Sequence, residues 1–276
     1  MIFNYITYAR LIADTLLLAK RIPNKYDAII GIPRSGLIPA AIIGFHFNLP
    51  VITPSEFVSN QYINSNRIKK SELKRVLLVD DSIGSGRTLK KNIDLIKGVD
   101  IDTAVIYTNA KIHKLTYTFR QIIDPRIFQW NVLNHGHLKT ACVDIDGVLC
   151  KDPTIIEDDN KPNEIINHII NAEPLHVPKL PIFAIITNRI EKYRPETVGW
   201  LAKHNIKYEQ LIMSHYNTAK ERRNNFHRIG GNGIWKGTEC QRIGGAWFIE
   251  SSYPQAIQIR NIIKSSVFCT DKMIMI

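Results

Sequence analysis

Two apolar segments of this chain each run directly into acidic residues. Asp80 and Asp81 follow the apolar residues 76–79, and Asp144 follows the apolar residues 141–143. An uninterrupted apolar run is typical of a strand buried on both faces, as strands are in parallel sheets covered by helices. Ligands of such sheets bind outside the carboxyl ends of the strands. The two segments therefore predict an α/β protein whose acidic residues lie at the ligand-binding edge.

The first half of the chain alternates strand and helix patterns. This alternation favours a parallel sheet flanked by helices. The polar residues 55–72 lack a clear period, so we predict a long loop there, near the carboxyl ends of the strands. We predict strands at residues 26–32, 50–52, 76–79 and 101–107, and helices at residues 37–47 and 88–96.

A second α/β unit follows residues 129–139, where the pattern weakens. The chain has 276 residues, which is enough for two domains of modest size. We therefore predict two domains, residues 1–137 and residues 138–276, each with a mainly parallel sheet flanked by helices. In the second domain we predict strands at residues 140–145, 182–186, 211–213 and 246–249, and a helix at residues 195–204.

The net charge of +11 indicates anionic partners. Nucleic acid, phosphorylated small substrates and an acidic membrane surface all qualify. The basic residues are scattered in small groups, without a basic helix or a nucleic-acid motif, so we predict phosphorylated ligands and no nucleic acid.

Cellular location is also constrained by the sequence. No apolar run reaches the roughly 20 residues that span a bilayer. The spacing in residues 6–17 predicts an amphipathic helix, for which packing on the core is favoured over peripheral contact with a membrane. The four cysteines lack CxxC spacing, which fits buried thiols in a reducing compartment. We expect a cytoplasmic protein, which could work at the inner face of the membrane.

The segment after residues 76–79 has the composition of an anion-binding turn. Gly84 and Gly86 permit a tight loop whose backbone N–H groups converge on an anion. Thr88 is predicted to begin a helix, and a helix N-terminus favours phosphate. Asp80 and Asp81 would bind vicinal hydroxyls directly or through Mg²⁺, which prefers oxygen ligands.

This segment resembles the phosphoribosyl pyrophosphate (PRPP) motif of type I phosphoribosyltransferases, and residues 31–36 resemble the pyrophosphate loop of the same family. The resemblance covers about residues 1–135. It implies Mg²⁺-dependent displacement of pyrophosphate from ribose carbon 1, with Asp80 and Asp81 as the catalytic, metal-linked pair. It also implies a non-proline cis peptide in the pyrophosphate loop and a mobile hood at residues 55–72 that uses Arg67, Lys69 and Lys70. The substrate-binding residues implied are Arg34, Ser35, Gly36, Ser82, Gly84, Ser85, Gly86, Arg87 and Thr88.

The second acidic segment resembles motif I of the haloacid dehalogenase (HAD) superfamily. Asp144 and Asp146 lie two residues apart at a strand end, so the pleat points them the same way. The resemblance implies that Asp144 attacks phosphorus, that Asp146 acts as general acid and base, and that Glu250 joins both in holding Mg²⁺. Ser251 stands where the family usually has a second acid.

Other HAD motifs follow in order. Thr187, Asn188 and Arg189 resemble motif II and would bind the phosphoryl group or the substrate. Motif III needs a lysine that neutralises the phosphoryl charge, for which Lys236 is favoured and Lys220 is the alternative. Residues 151–180 would form a small cap that leaves the site open to bulky substrates.

The two resemblances together suggest sequential chemistry. Transfer of a phosphoribosyl group leaves a 5-phosphate on the product, which a linked phosphatase could remove. The covalent link between the two domains raises the effective concentration of that product at the phosphatase. This pairing resembles PRPP-dependent ribofuranosyltransferase systems of bacterial surface polysaccharides, which implies a glycan acceptor that could be lipid-linked. Nucleobase salvage with a fused nucleotidase and a PRPP-sensing regulatory protein are the alternatives. The sequence leaves the oligomeric state open.

Overall fold

The computed structural model describes residues 1–60, 70–109, 114–153 and 159–276, without the side chain of Lys70. The chain divides into two compact units. The N-terminal unit is Asn4–Trp130, and the C-terminal unit combines Met1–Phe3 with Asn131–Ile276. The division after Trp130 precedes the boundary that we predicted after residue 137. The predicted hood residues Arg67 and Lys69 lie outside the described residues.

The N-terminal unit is built on a parallel sheet. In chain order its elements are β1 (Asn4–Ile6), α1 (Tyr8–Ala19), β2 (Ala28–Gly31), α2 (Leu37–Phe47), β3 (Val51–Ile52), α3 (Pro54–Ser59), a 3₁₀ turn (Lys70–Glu72), β4 (Arg75–Ile83), α4 (Arg87–Leu95), β5 (Asp100–Thr108), β6 (Tyr117–Gln121) and β7 (Arg126–Phe128). The order β3-β2-β4-β5-β6 forms one five-stranded sheet in which all neighbours are parallel. Strands β1 and β7 form a separate parallel pair.

Strand β4 shows why this sheet needs helices on both faces. Side chains alternate across a strand, so a fully apolar strand must be covered twice. Leu77 and Val79 join the core cluster that contains Leu11 of α1. Val76 and Leu78 join a second cluster, which contains Phe57 of α3 and Leu89 of α4. The predicted parallel sheet flanked by helices is confirmed.

The opening helix differs in part from its predicted form. Helix α1 begins at Tyr8, after Thr7 accepts a capping hydrogen bond from the backbone N–H of Arg10. It buries Leu11 and Leu18 against the sheet. Ile12, Leu16 and Leu17 are exposed, because this helix of 12 residues carries more large apolar side chains than its buried face can cover.

The C-terminal unit contains a second, mainly parallel sheet. After two 3₁₀ turns (Val132–Asn134 and Gly136–Thr140), its elements are β8 (Ala141–Val143), α5 (Pro162–Asn171), β9 (Ile182–Ile190), a 3₁₀ turn (Glu191–Tyr193), α6 (Arg194–Lys203), β10 (Tyr208–Ser214), α7 (Ala219–Ile229), α8 (Asn232–Arg242), β11 (Trp247–Glu250), α9 (Tyr253–Ile263), β12 (Val267–Cys269) and β13 (Ile274–Met275). The strand order is β10-β9-β8-β11-β12-β13, and only the β12–β13 pairing is antiparallel.

The centre of this sheet brings the predicted acidic residues to one edge. Strand β8 lies between β9 and β11. Because the three strands are parallel, their carboxyl ends lie side by side. Asp144 follows β8 directly, and Asn188 and Glu250 lie near the carboxyl ends of β9 and β11. Cys142 is a buried free thiol, as predicted, and Cys150, Cys240 and Cys269 are buried free thiols as well. In the part of the chain that the structure describes, no helix is long and apolar enough to cross a bilayer.

Two helical glycines test how tightly the C-terminal unit is packed. A Cβ at Gly237 of α8 would lie 2.9 Å from Cβ of Ile262 and 3.2 Å from Cα of Ile259 in α9. We expect Gly237→Ala to lower the free energy of unfolding by about 1–3 kcal/mol through overpacking. Urea unfolding of the full chain measures the change.

Gly199 of α6 is the matched control, because a Cβ there meets no atom within 4 Å. Gly199→Ala should raise the free energy of unfolding by about 0.5–1 kcal/mol, since alanine favours helix more than glycine does. A loss of stability at Gly199, or none at Gly237, would contradict this view of the packing.

Candidate functional site

The acidic pair of the N-terminal unit lies inside β4, which extends beyond its predicted end to Ile83. Asp80 and Asp81 are both buried. Oδ1 of Asp81 accepts a hydrogen bond of 2.9 Å from Ser35 Oγ, and Oδ2 accepts one of 3.1 Å from Trp130 Nε1. The backbone N–H of Asp81 donates to Asp80 Oδ1 at 2.9 Å. The second acid is therefore fixed from two sides, by the loop after β2 and by the residue that ends this unit.

The loop after β2 packs directly on these acids. A Cβ at Gly36 would lie 2.6 Å from the carbonyl oxygen of Ile32 and 2.8 Å from Asp80 Oδ1, so only glycine fits. The peptide bond between Pro33 and Arg34 is cis, the isomer that the resemblance implied for this loop. Arg34 itself is exposed.

A cavity of about 260 Å³ opens beside the acids. Gly86, at a φ of 78°, leads the chain into α4, which begins at Arg87, one residue before its predicted start. Arg34, Gly36 and Arg87 do not line this cavity, and Nε of Arg87 donates to Ser85 Oγ at 3.3 Å. The predicted residues that do line it are Ser35, Asp80, Asp81, Ser82, Gly84, Ser85, Gly86 and Thr88.

The electrostatics of this cavity favour a cationic or hydroxyl-bearing ligand. Burial, followed by the neighbouring charge of Asp81, raises the pKa of Asp80 to about 9. A cation bound beside the two carboxyl groups would offset the repulsion between them. Carboxylate oxygens are ligands that Mg²⁺ prefers, so Asp80 and Asp81 fit that ion by donor type and charge.

The acids of the C-terminal unit are held by a buried lysine. Nζ of Lys236, from the middle of α8, donates to Asp144 Oδ2 and also to Glu250 Oε2, the latter at 2.7 Å. All three side chains are buried. Oε1 of Glu250 accepts from the backbone N–H groups of Ser251 and Ser252 at 3.0 and 3.1 Å. One ammonium group thus ties the carboxyl ends of β8 and β11 to helix α8.

Asp146 is held by an arginine instead. Nε and Nη2 of Arg189 donate to Oδ2 and Oδ1 of Asp146 at 3.0 and 2.6 Å. Cys150 Sγ lies 3.4 Å from Asp146 Oδ1. We predicted that Arg189 binds substrate, and the structure instead places one edge of its guanidinium group on the acid. This bidentate pair is the strongest geometry available to an arginine and a carboxylate.

The two acids of motif I therefore have opposite electrostatic environments. Burial raises the pKa of Asp144 to about 8, against the opposing effect of Lys236. Burial acts in the same direction on Asp146, but the charge of Arg189 outweighs it and holds that pKa below its usual range. Three carboxyl groups face two cations, which leaves one net negative charge when all are ionised.

Ser251 packs closely on the turn that follows Asp146. A Cβ at Gly147 would lie 2.2 Å from Ser251 Oγ, and Gly147 has a φ of 76°. Ser251 Oγ also lies 3.4 Å from the carbonyl oxygen of Asp146. Residue 147 is therefore restricted to glycine by its positive φ and by its contact with Ser251.

The donor set also bears on metal binding. Within the described residues, no three His, Cys, Asp or Glu side chains are placed together so that they could hold a metal ion. Asp144, Asp146 and Glu250 contact Lys236 and Arg189 instead. Their carboxylate oxygens are of the donor type that a divalent cation such as Mg²⁺ prefers.

These acids line a cavity of about 590 Å³. Thr187 does not line it; its Oγ1 accepts from the backbone N–H of Arg189 at 3.3 Å. Lys220 is exposed on α7 and does not line it either. The predicted residues that do are Asp144, Asp146, Asn188, Arg189, Lys236 and Glu250.

Several site residues escaped the sequence analysis. Trp130 is one of them in the N-terminal unit, because its contact with Asp81 joins residues 49 positions apart. In the cavity of the C-terminal unit the missed residues include His168, Arg222, Arg223 and Gln255. They lie on helices α5, α7 and α9, whose sequences contain no motif that marks them.

Comparison with known proteins concerns the first part of the chain. Residues 5–132 match the family model described as phosphoribosyl transferase domain. The match covers slightly less than half of the chain, and it supports a phosphoribosyltransferase domain there. Such a domain supports an enzyme, its expected substrate is PRPP, and phosphoribosyltransferases generally use Mg²⁺ to bind PRPP.

Solved structures include similar proteins of this kind. A purine phosphoribosyltransferase from Pyrococcus horikoshii Ot3 is 23% identical, over 47% of this chain and 95% of that chain, with a TM-score of 0.38. A xanthine-guanine-hypoxanthine phosphoribosyltransferase from Helicobacter pylori is 19% identical, over 46% of this chain and 92% of that chain, also with a TM-score of 0.38. The search of curated proteins gave no match.

Removal of the buried lysine tests the C-terminal site. Lys236→Met leaves the buried Asp144 and Glu250 without their shared cation. We expect it to lower the free energy of unfolding by about 3–5 kcal/mol, measured by guanidinium chloride unfolding.

Lys220→Met provides the matched control, because it removes the exposed alternative lysine by the same substitution. It should change the free energy of unfolding by no more than about 0.5 kcal/mol. Equal effects of the two substitutions would show that the contacts of Lys236 do not stabilise the unit.

Proposed function

We propose that this chain is a bifunctional enzyme that transfers 5-phosphoribosyl from PRPP to an acceptor and then removes the 5-phosphate. The observation that carries the proposal is the pair of acidic cavities, one in the phosphoribosyltransferase domain and one around Asp144. The second cavity combines a candidate nucleophile after β8, a further acid at the end of β11 and a buried lysine from α8. The HAD resemblance implied residues of these three kinds.

The transfer step would use the cavity of about 260 Å³. The glycine turn at residues 84–88 would hold the 5-phosphate at the start of α4. Asp80 and Asp81 would bind the ribose hydroxyls, and Mg²⁺, when bound, would neutralise the pyrophosphate. The bond between ribose carbon 1 and a pyrophosphate oxygen would break, and a bond to an acceptor nucleophile would form. Ser35 and Trp130 would keep Asp81 in place.

The second step would begin when an Asp144 oxygen attacks phosphorus and the ribose 5-oxygen departs. Lys236, already bonded to Asp144, would balance the charge of the phosphoryl group. Asp146 would give a proton to the departing oxygen and then, as the carboxylate, accept one from the water that hydrolyses the aspartyl phosphate. We propose that Asp144, Asp146 and Glu250 hold Mg²⁺ here, which would offset the remaining negative charge.

For the acceptor we propose a glycan of surface polysaccharide assembly. The pairing of a phosphoribosyltransferase domain with a phosphatase unit supports it, because the net product would be a ribofuranosyl residue. The net charge of +11 suits work beside lipid-linked, anionic intermediates at the inner face of a membrane.

One observation favours a second candidate, a nucleobase acceptor. Trp130 contacts Asp81 and stacks on Phe128, with ring centroids 4.9 Å apart and an interplanar angle of 25°. An aromatic stack beside the acids offers the kind of flat surface that a planar base prefers. In that case the chain would produce a nucleotide and then a nucleoside.

Product analysis separates the two steps. The full chain is incubated with PRPP, Mg²⁺ and a panel of glycan and nucleobase acceptors, and products are followed by mass. Wild type should yield the ribosylated acceptor. Asp144→Asn should accumulate the phosphoribosylated acceptor, because loss of the nucleophile slows dephosphorylation by at least about a thousandfold. Identical products from both proteins would overturn the sequential model.

The complementary variant tests the first site. Asp81→Asn should abolish transfer, since the hydroxyl and metal ligand is lost, yet leave hydrolysis of a supplied phosphoribosyl product. The acceptor that wild type consumes decides between the glycan and nucleobase candidates. Loss of both activities in a folded Asp81→Asn protein would contradict two separate sites.

A further inference from the structure

Two buried polar side chains contact the glycine turn of residues 84–88 without lining the cavity of about 260 Å³ beside it. Nη2 of Arg126 donates to the carbonyl oxygen of Ile83, the residue that leads into the turn. Nδ2 of Asn109 donates to the carbonyl oxygen of Gly84 at 3.2 Å. Two successive carbonyl groups are thus held by side chains from outside the turn.

Both side chains are anchored on strands. Asn109 directly follows β5, which lies beside β4 in the five-stranded sheet. Arg126 begins β7, which pairs with β1, and its Nε lies 3.5 Å from Asp124 Oδ1. Burial of a guanidinium group is costly unless its contacts compensate for the lost water. The placement of Arg126 against this turn therefore requires an explanation.

The geometry of the peptide bond links these contacts to the cavity. In a planar trans peptide the C=O group and the following N–H group point in opposite directions. The peptide bonds after Ile83 and Gly84 are both trans. The N–H groups of Gly84 and Ser85 therefore point away from Arg126 and Asn109. Among the described residues, neither of these N–H groups donates to a backbone carbonyl oxygen.

Successive backbone N–H groups in a tight turn form a concave site for an anion, and Gly84 and Ser85 both line the cavity. We propose that Arg126 and Asn109 are positioning residues for phosphoribosyl transfer, which hold the turn so that its N–H groups face the 5-phosphate of PRPP. This inference rests on the proposed transfer step and adds the side chains that shape its phosphate site. Both act through the backbone and neither touches the substrate.

The two contacts differ in charge. Arg126 orients one carbonyl group and also places a positive charge behind the turn, which attracts a phosphate strongly where water is excluded. Asn109 is neutral, so it contributes orientation alone. Binding of the 5-phosphate should depend on both residues. Binding of pyrophosphate, which the loop after β2 would hold, should depend on neither.

Calorimetric titration of the full chain with PRPP and with inorganic pyrophosphate, each with Mg²⁺, tests the proposal. Every protein carries Asp144→Asn, so that the C-terminal unit is the same throughout and does not hydrolyse the ligand. Arg126→Met and Asn109→Leu should each weaken PRPP binding by about tenfold, because the phosphate loses oriented N–H donors. Their affinity for pyrophosphate should change by less than about twofold, since that ligand shares no partner with the two side chains.

Arg75→Met is the matched control, because it removes an arginine from the opposite end of β4. Arg75 pairs there with the exposed Asp100 at 3.0 Å, and its removal should leave both affinities unchanged. The ratio of the two affinities distinguishes positioning from structural damage, because damage weakens the binding of both ligands.

Three results of the titrations would overturn the inference. The first is an unchanged PRPP affinity in Arg126→Met, and the second is an equal loss of affinity for PRPP and pyrophosphate. The third is an effect of Arg126→Met without one of Asn109→Leu, because charge rather than orientation would then be responsible.

Inorganic phosphate tests the turn if PRPP does not bind, which would refute the proposed transfer step alone. The amide resonances of Gly84 and Ser85 are followed by NMR during a phosphate titration of the full chain. In wild type they should shift as phosphate binds. Arg126→Met and Asn109→Leu should need about three- to tenfold more phosphate for half of that shift. No shift in wild type, or equal midpoints in the three proteins, would overturn the inference.

Discussion

Burial of carboxyl groups at the carboxyl edge of a parallel sheet is the constraint on which both sites depend. The geometry that brings strand ends together also brings like charges together, and each charge removed from water needs a partner. The C-terminal unit supplies permanent cations, with Lys236 between Asp144 and Glu250 and Arg189 on Asp146. Its charged groups are consequently arranged before any ligand arrives.

The N-terminal unit meets the same constraint differently. Asp81 receives neutral donors from Ser35 and Trp130, and among the residues that the structure describes no basic side chain lines the cavity beside it. Burial, followed by the charge of Asp81, raises the pKa of Asp80. A site of this kind gains most from a ligand that brings its own positive charge, as a substrate complexed with Mg²⁺ does. The buried acids are thus paired with cationic side chains in one unit and with neutral donors in the other. This difference agrees with the different chemistry that we propose for the two cavities.

Much of the fold followed from local pattern. Helix α2 has its predicted ends, and β4 was expected because four consecutive apolar residues must be covered on both faces. Helices α3, α5, α7 and α9 were missed, α3 because the polar residues 55–72 predicted a loop, and the strands β1, β6, β7, β12 and β13 were missed as well. Their segments carry weaker periodicity, and their structure depends on packing against the central strands. The extension of β4 through Asp80 and Asp81 was missed, because ionisable residues normally indicate that a buried strand has ended.

The sequence by itself determined which residues could bear the chemistry, because strand-end acids and glycine turns are local signals. Only the tertiary structure decided their partners. It assigned Arg189 to Asp146, turned Thr187 towards the backbone and brought Trp130 to Asp81, through contacts between residues far apart in the chain. It also brought Lys236 to Asp144, whereas Lys220 is exposed. Hydrogen bonds and ion pairs form over a few ångströms, and that proximity is a property of the folded chain which no local pattern contains.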